Sequence, residues 1–182
     1  MGAKSRRGGE GKEGENGLHP RATERGDPQR PQSGCRAGRQ KVVCALVSKA
    51  LLDKEFIAQH LTADQCRPRK VLYEDPELGF CVCGHVYETP AHGTPHDHGS
   101  SWAIYGLAVG DTEMTDWRVV KAGDGAAPTL VEPERIYVLQ PGDAHFYDVG
   151  AVHSPKRDGL TKLIRIEGAN LDHIKRTNIK AA

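Results

Sequence analysis

From residue 69 onward the chain is cut into short stretches rich in Val, Ile, Tyr and Trp: "RKVLYED", "GFCVCGHVYE", "SWAIYGLAVG", "TEMTDWRVV", "ERIYVLQPG", "HFYDVG" and "TKLIRIEG". Gly, Pro and Asp divide them. β-Branched and aromatic side chains suit a pleated, half-buried surface, and the dividing residues suit tight turns. Parallel α/β sheets need helical segments between successive strands, and none is visible here. The pattern therefore predicts an all-β sandwich or small barrel, with the barrel over about residues 69–168.

The segment before the strands reads differently. In "KVVCALVSKALLDKEFIAQHL" apolar residues fall at Val42, Val43, Leu46, Ala50, Leu51, Phe56, Ile57 and Leu61, near a 3.6-residue period. One or two helices are predicted, with "TADQCRPR" ending them at Pro68. Residues 1–40 are rich in Gly, Arg, Glu and Pro and nearly empty of large apolar side chains. Such a stretch buries too little surface to offset its ordering entropy, so a disordered tail is expected ahead of a domain over 41–182.

Charge and composition narrow the partners. A net charge of +1 gives no electrostatic case for nucleic acid or a membrane surface. No apolar run approaches the roughly 20 residues of a membrane-spanning helix. The five cysteines, Cys35, Cys44, Cys66, Cys81 and Cys83, are odd in number and suggest no disulfide framework, so a cytoplasmic location is expected. The oligomeric state stays open.

The chemistry-bearing residues are histidines. In "TPHDHGSSWAIYGLAVG" His96 and His98 stand one residue apart at the start of an expected strand. Residues i and i+2 of a strand share a face, about 6.7 Å apart, so two imidazoles can converge on one ion. A third ligand must come from elsewhere. Further on, "GDAHFYDVGAVHSPKR" has Gly142, then Asp148-Val149-Gly150, then His153. That spacing resembles the second motif of the cupin superfamily, G-x5-P-x-G-x2-H-x3-N, with Asp148 at the Pro position and Arg157 at the Asn position. "HDHGSSWAIYGLAVG" resembles the HxH and closing glycine (Gly110) of the first motif. The metal-binding glutamate of that motif is absent, its place falling on Trp102 or Ala103.

The resemblance implies a double-stranded β-helix, the cupin jelly-roll barrel, and a ligand set of His96, His98 and His153. Three-histidine iron sites mark the cysteine dioxygenase-like thiol dioxygenases, and "PHDHGSSWAIYGLAVG" looks most like their 3-mercaptopropionate dioxygenase branch. What that implies is Fe(2+) as cofactor, O2 as co-substrate and a small anionic thiol oxidised to a sulfinate. A non-catalytic metal-binding or ligand-sensing cupin is the rival from another class. The cysteine that crosslinks to tyrosine in animal-type enzymes falls on Ala103. The family's Ser-His-Tyr set falls near Leu163, Arg165 and Glu167, where none of the three residues matches. Tyr105 and Tyr147 are the candidates to supply the missing hydroxyl. Arg69 and Arg165 are the candidates to hold a substrate carboxylate, with an internal Arg165–Glu167 ion pair as the other reading.

The remaining candidates have plainer readings. His92 and His145 could line the pocket. Cys81, Cys83 and His85 share a strand face, but about 13 Å separates the ends of that run, too far for one tetrahedral ion. The two cysteines are read as packing. Trp102 is read as shaping the pocket or packing the core. Nothing singles out His19, His60 or His173.

Overall fold

The computed structural model describes residues 39–66 and 68–182. The expected disordered tail lies outside the described residues, except that Arg39 and Gln40 already belong to the first helix. Three helices come first: α1 (Arg39–Leu52), α2 (Lys54–His60) and α3 (Ala63–Cys66). The break between α1 and α2 has a local cause. Asp53 is an N-cap whose carboxylate accepts from the amides of Glu55 and Phe56 at 2.9 and 3.1 Å. The short α3 falls where the sequence predicts only the end of a helix.

Ten strands follow: β1 (Lys70–Glu74), β2 (Cys81–Tyr87), β3 (Ala91–His92), β4 (Ala103–Val109), β5 (Thr112–Lys121), β6 (Thr129–Leu139), β7 (Ala144–Tyr147), β8 (Val152–Arg157), β9 (Thr161–Glu167) and β10 (Ile179–Ala181). They form two five-stranded sheets in the orders β1-β2-β9-β4-β7 and β10-β6-β5-β8-β3, the interleaved topology of a double-stranded β-helix. Each strand read from the sequence is present. Three were not read: the two-residue β3, the proline-containing β8, and β10, which pairs in parallel with the start of β6. Proline lacks a ladder donor, which is why "VHSPKR" does not read as a strand. It forms one because β5 and β3 flank it on both sides.

The helices cover the outer face of the first sheet. Val47 and Leu51 of α1 pack with Leu61, Cys66, Val86, Ala108 and Ile164. Their approach requires Gly106: a Cβ there would lie 2.6 Å from Leu51 and 2.7 Å from Val47. The buried stripe of α1 is thus Cys44, Val47 and Leu51, while Val42 and Leu46, counted by periodicity in the apolar face, are exposed. Trp102 packs on the same outer face, against Phe146 and under Gly168, and lines no part of the interior.

Strand alternation sends the other set of side chains inward. Cys81, Cys83, His85 and Tyr87 of β2 face Thr161, Leu163, Arg165 and Glu167 of β9, which face Ala103, Tyr105 and Leu107 of β4. Across the barrel lie Met114, Leu139 and His153. The interior is polar at many rungs, and that is where the candidate chemistry sits.

Candidate metal centre

His96 and His98 are not on a strand. Both lie in the connection between β3 and β4, and the alternation argument that paired them does not apply. What aims them is a pair of long-range backbone contacts. The amides of His96 and His153 each donate to the other's carbonyl at 3.0 Å, an isolated antiparallel bridge. Between the two histidines, buried Asp97 points the other way and accepts from the amides of Gly99 at 3.0 Å and Thr177 at 3.1 Å. Burial opposes the ionisation of Asp97, and the hydrogen bonds from Thr177 and Gly99 outweigh it, holding the carboxyl below its usual range. The segment after residue 168, which the sequence reading left outside the barrel, therefore fixes the HxH loop. On the other side, Gly150 at φ +77° turns the chain from β7 into β8, closed by the Ala151 amide on the Asp148 carbonyl at 3.0 Å. This is the structural content of the glycine in the second motif.

The result is a cluster of three imidazoles whose ligand-capable nitrogens all lie within 4.8 Å of one another. Ring centroids are 4.7 Å apart for His96–His153, 4.9 Å for His98–His153 and 5.8 Å for His96–His98. The second contacts of the rings decide which nitrogen is free. His96 Nδ1 lies 2.9 Å from the Thr94 carbonyl and His153 Nδ1 lies 3.3 Å from the Ala151 carbonyl. A carbonyl only accepts, so both Nδ1 atoms carry the proton and both Nε2 atoms keep a lone pair. The Nε2 atoms of His98 and His153 are buried with no hydrogen-bond partner. Burial, with the positive charge of Arg165, pushes the His98 pKa down to about 3. Burial and the neighbouring histidines hold His153 well below its ordinary value, and burial lowers His96 as well. The rings are held neutral, two of them paired at the back and two bare in front, which suits imidazole ligands of a divalent first-row metal.

Aromatic rings wall this cluster. The Tyr105 ring lies parallel to His98 at 5.9 Å and edge-on to His153 at 5.4 Å. Its oxygen accepts from Arg165 Nη1 at 3.1 Å, and its own proton has no acceptor among the described residues. Tyr147 stacks on His153 at 3.9 Å. Its hydroxyl is spent: Tyr137 donates to Asp116 at 3.1 Å, so the 2.6 Å contact between the two phenols is Tyr147 donating to Tyr137. Burial and the Tyr137 hydroxyl push the Tyr147 pKa well up. His145 packs between Tyr137 and Tyr147, its pKa pushed down to about 4 by burial. It lines a cavity of about 560 Å³ with Asp116, Arg135 and Tyr147. His92 is exposed on β3, and neither His92 nor His145 belongs to the cluster.

The two arginines go elsewhere. Arg69 Nη2 donates to Glu167 at 2.9 Å and its Nη1 to Asp172 at 2.7 Å. Arg165 Nε donates to the other oxygen of Glu167 at 2.6 Å, and its Nη2 pairs with the same carboxylate. The register puts Glu167 opposite both Cys81 and Ala103, so one carboxylate serves both arginines, with the Leu171 amide at 3.2 Å. Cys81, Cys83 and Glu167 also gather ligand-capable atoms within 4.8 Å. Their chemistry is opposite to that of the histidines. Burial, reinforced by the negative charge of Glu167, pushes the Cys83 thiol up to about 12, and the same causes raise Cys81. A metal there would have to displace protons from both thiols and compete with two arginines for the carboxylate, which makes this the less favourable ligand set. His85 stacks on Tyr87 and faces the Pro68 carbonyl at 3.0 Å, apart from both groups.

A double-stranded β-helix with a three-histidine candidate metal centre is the class this architecture defines. No protein-family model matches the chain, and no curated protein does. Among solved structures it is similar to KdgF from Halomonas sp. at 19% identity, covering 54% of this chain and 74% of that one, with a TM-score of 0.41. A double-stranded β-helix domain protein from Klebsiella pneumoniae is similar at 13% identity over 68% and 88% of the two chains, TM-score 0.46. The DMSP lyase DddQ from Ruegeria pomeroyi is similar at 15% identity over 64% and 54%, TM-score 0.44. No described helix is long and apolar enough to cross a membrane.

Proposed function

We propose that the protein is a mononuclear non-haem Fe(2+) dioxygenase that oxidises a small anionic thiol to a sulfinate. The observation that carries this reading is the set of neutral imidazoles with unpartnered Nε2 atoms at His98 and His153, completed by His96. Three neutral ligands leave the double charge of the ion uncompensated, which favours a thiolate or carboxylate as the next ligand. When bound, the iron supplies open positions for thiolate and O2, and both oxygen atoms end on sulfur. The protein's part is to hold, orient and exclude water. His96, His98 and His153 hold the ion, and the carbonyls of Thr94 and Ala151 fix the orientation of two of these rings. Tyr105, with a free hydroxyl proton and its ring against two of the ligands, donates a hydrogen bond to negative charge that develops beside them. It takes the part that the family gives to its Ser-His-Tyr set, since Leu163, Arg165 and Glu167 offer no hydroxyl. A thiol substrate fits a reducing compartment, and we place the protein in the cytoplasm.

Oxygen uptake by Fe(2+)-loaded protein across a panel of thiols, diketones and hydroxy acids tests the reading. Consumption of one O2 per sulfinate formed, with an anionic thiol preferred over a neutral one, is expected. Full iron content with no uptake on any member of the panel would overturn it and leave a binding or sensing protein.

A further inference from the structure

Among the described residues, ion pairing in the barrel leaves one buried guanidinium without a carboxylate partner. Arg165 is neutralised by Glu167, and Arg69 by Glu167 and Asp172. Arg157, at the end of β8, is only 5% exposed and has no carboxylate within ion-pair distance among the described residues. Its Nε is buried without a partner. The guanidinium lies over the Tyr87 ring, 4.3 Å from its Cζ to the ring centroid. A cation–π contact recovers only part of the cost of taking an ion out of water. Arginine does not escape that cost by losing its proton. Burial does lower the Arg157 pKa, the direction an uncompensated guanidinium must show, and nearby Arg165 lowers it further.

The position is not incidental. His153, Pro155 and Arg157 share one face of β8, so Arg157 points into the interior that holds the histidines, about 13 Å along the strand from His153. A second orphan sits beside it. His85 also stacks on Tyr87, at 5.8 Å, and its buried Nε2 has no partner. Its Nδ1–H is used by the Pro68 carbonyl, so Nε2 is an acceptor. The two polar groups that flank Tyr87 are therefore one unpaired donor cation and one unpaired acceptor.

We infer that Arg157 is the anchor for the negatively charged group of the ligand, an anion-binding subsite for a carboxylate in the same barrel as the three histidines. This deepens the dioxygenase reading and rests on it for the identity of the substrate, but not for the anion site itself. Arg69 and Arg165, which the sequence offers for this role, keep Glu167 as their partner instead.

The test uses the full chain free of metal, with propionate as the probe and its neutral amide, propionamide, as the control at constant ionic strength. A ligand that binds only the native state raises Tm in a saturable way. Propionate is expected to raise Tm and propionamide to leave it unchanged. Arg157→Leu should abolish the propionate response, and its Tm without ligand should equal or exceed that of the wild type, because an unpaired buried charge has gone. Arg157→Lys should keep a weaker response. If Arg157→Leu does not fold, Arg157→Gln carries the same comparison. A wild type indifferent to propionate, or a neutral variant that still responds, overturns the inference. On Co(II)-loaded protein, 3-mercaptopropionate should bind at least about tenfold more tightly than 1-propanethiol, with the ratio falling to near one in Arg157→Leu at unchanged cobalt content. If neither thiol perturbs the cobalt spectrum while the propionate response stays intact, the thiol reading fails and the Arg157 site stands.

Discussion

Two groups of three side chains in this barrel bring potential ligand atoms within the same 4.8 Å: His96, His98 and His153, and Cys81, Cys83 and Glu167. Distance does not tell them apart. Their partners do. In the first group two back nitrogens donate to carbonyls and two front nitrogens are left bare. In the second, the carboxylate is saturated by two arginines and a backbone amide, and burial together with its charge keeps the thiols protonated. Lone pairs without protein partners mark a place for a ligand, whereas a closed network marks a structural joint.

The largest expected effect separates the groups by metal content. After identical Fe(2+) loading, His153→Ala or His98→Ala should lose nearly all bound iron, while Cys81→Ser and Cys83→Ser keep wild-type stoichiometry in elemental analysis. A cysteine variant stripped of metal would reverse the comparison.

Stability separates them in the other direction. Glu167→Gln leaves Arg165 buried beside a neutral amide, and denaturant unfolding should show a loss of about 3–5 kcal/mol, the range for a buried pair reduced to one charge. His153→Ala removes no charge pair and should cost less in the metal-free protein.

Acid should act on the histidine group next. His98 and His153 have folded pKa values below the unfolded value of about 6.5. Protonation therefore favours the unfolded chain. The stability of the metal-free protein is full above about pH 6.5 and falls as the pH drops below it, by up to about 1.4 kcal/mol per pH unit for each such histidine. Thermal melts from pH 7.5 to 4.5 check the sign, and bound metal should move the fall to lower pH. Glu167, also lowered through its arginines despite its burial, adds its loss only at the acid end of that range.

The smallest effect is expected at His92. It is exposed, outside both groups, and His92→Ala should change stability by no more than about 0.5 kcal/mol and leave metal content intact.

Much of this was legible in the sequence, because the signals are local. Period-2 runs of β-branched and aromatic residues specify strands, and the spacing from Gly142 through Gly150 to His153 specifies a turn that delivers one histidine inward. That HxH and His153 would meet was implied by motif resemblance, and the structure brings all three together. What local pattern could not give was partnership. Whether Arg165 holds a ligand or Glu167 depends on β9 lying between β2 and β4, so that one carboxylate meets two arginines from distant parts of the chain. The same holds for the HxH loop. Its aim comes from a bridge to residue 153 and a clamp from residue 177, not from strand alternation. Arg157 reads from the sequence as a departure at an asparagine position. Only the packed barrel shows that its charge is buried and unanswered, because charge compensation is a property of what surrounds a side chain in space.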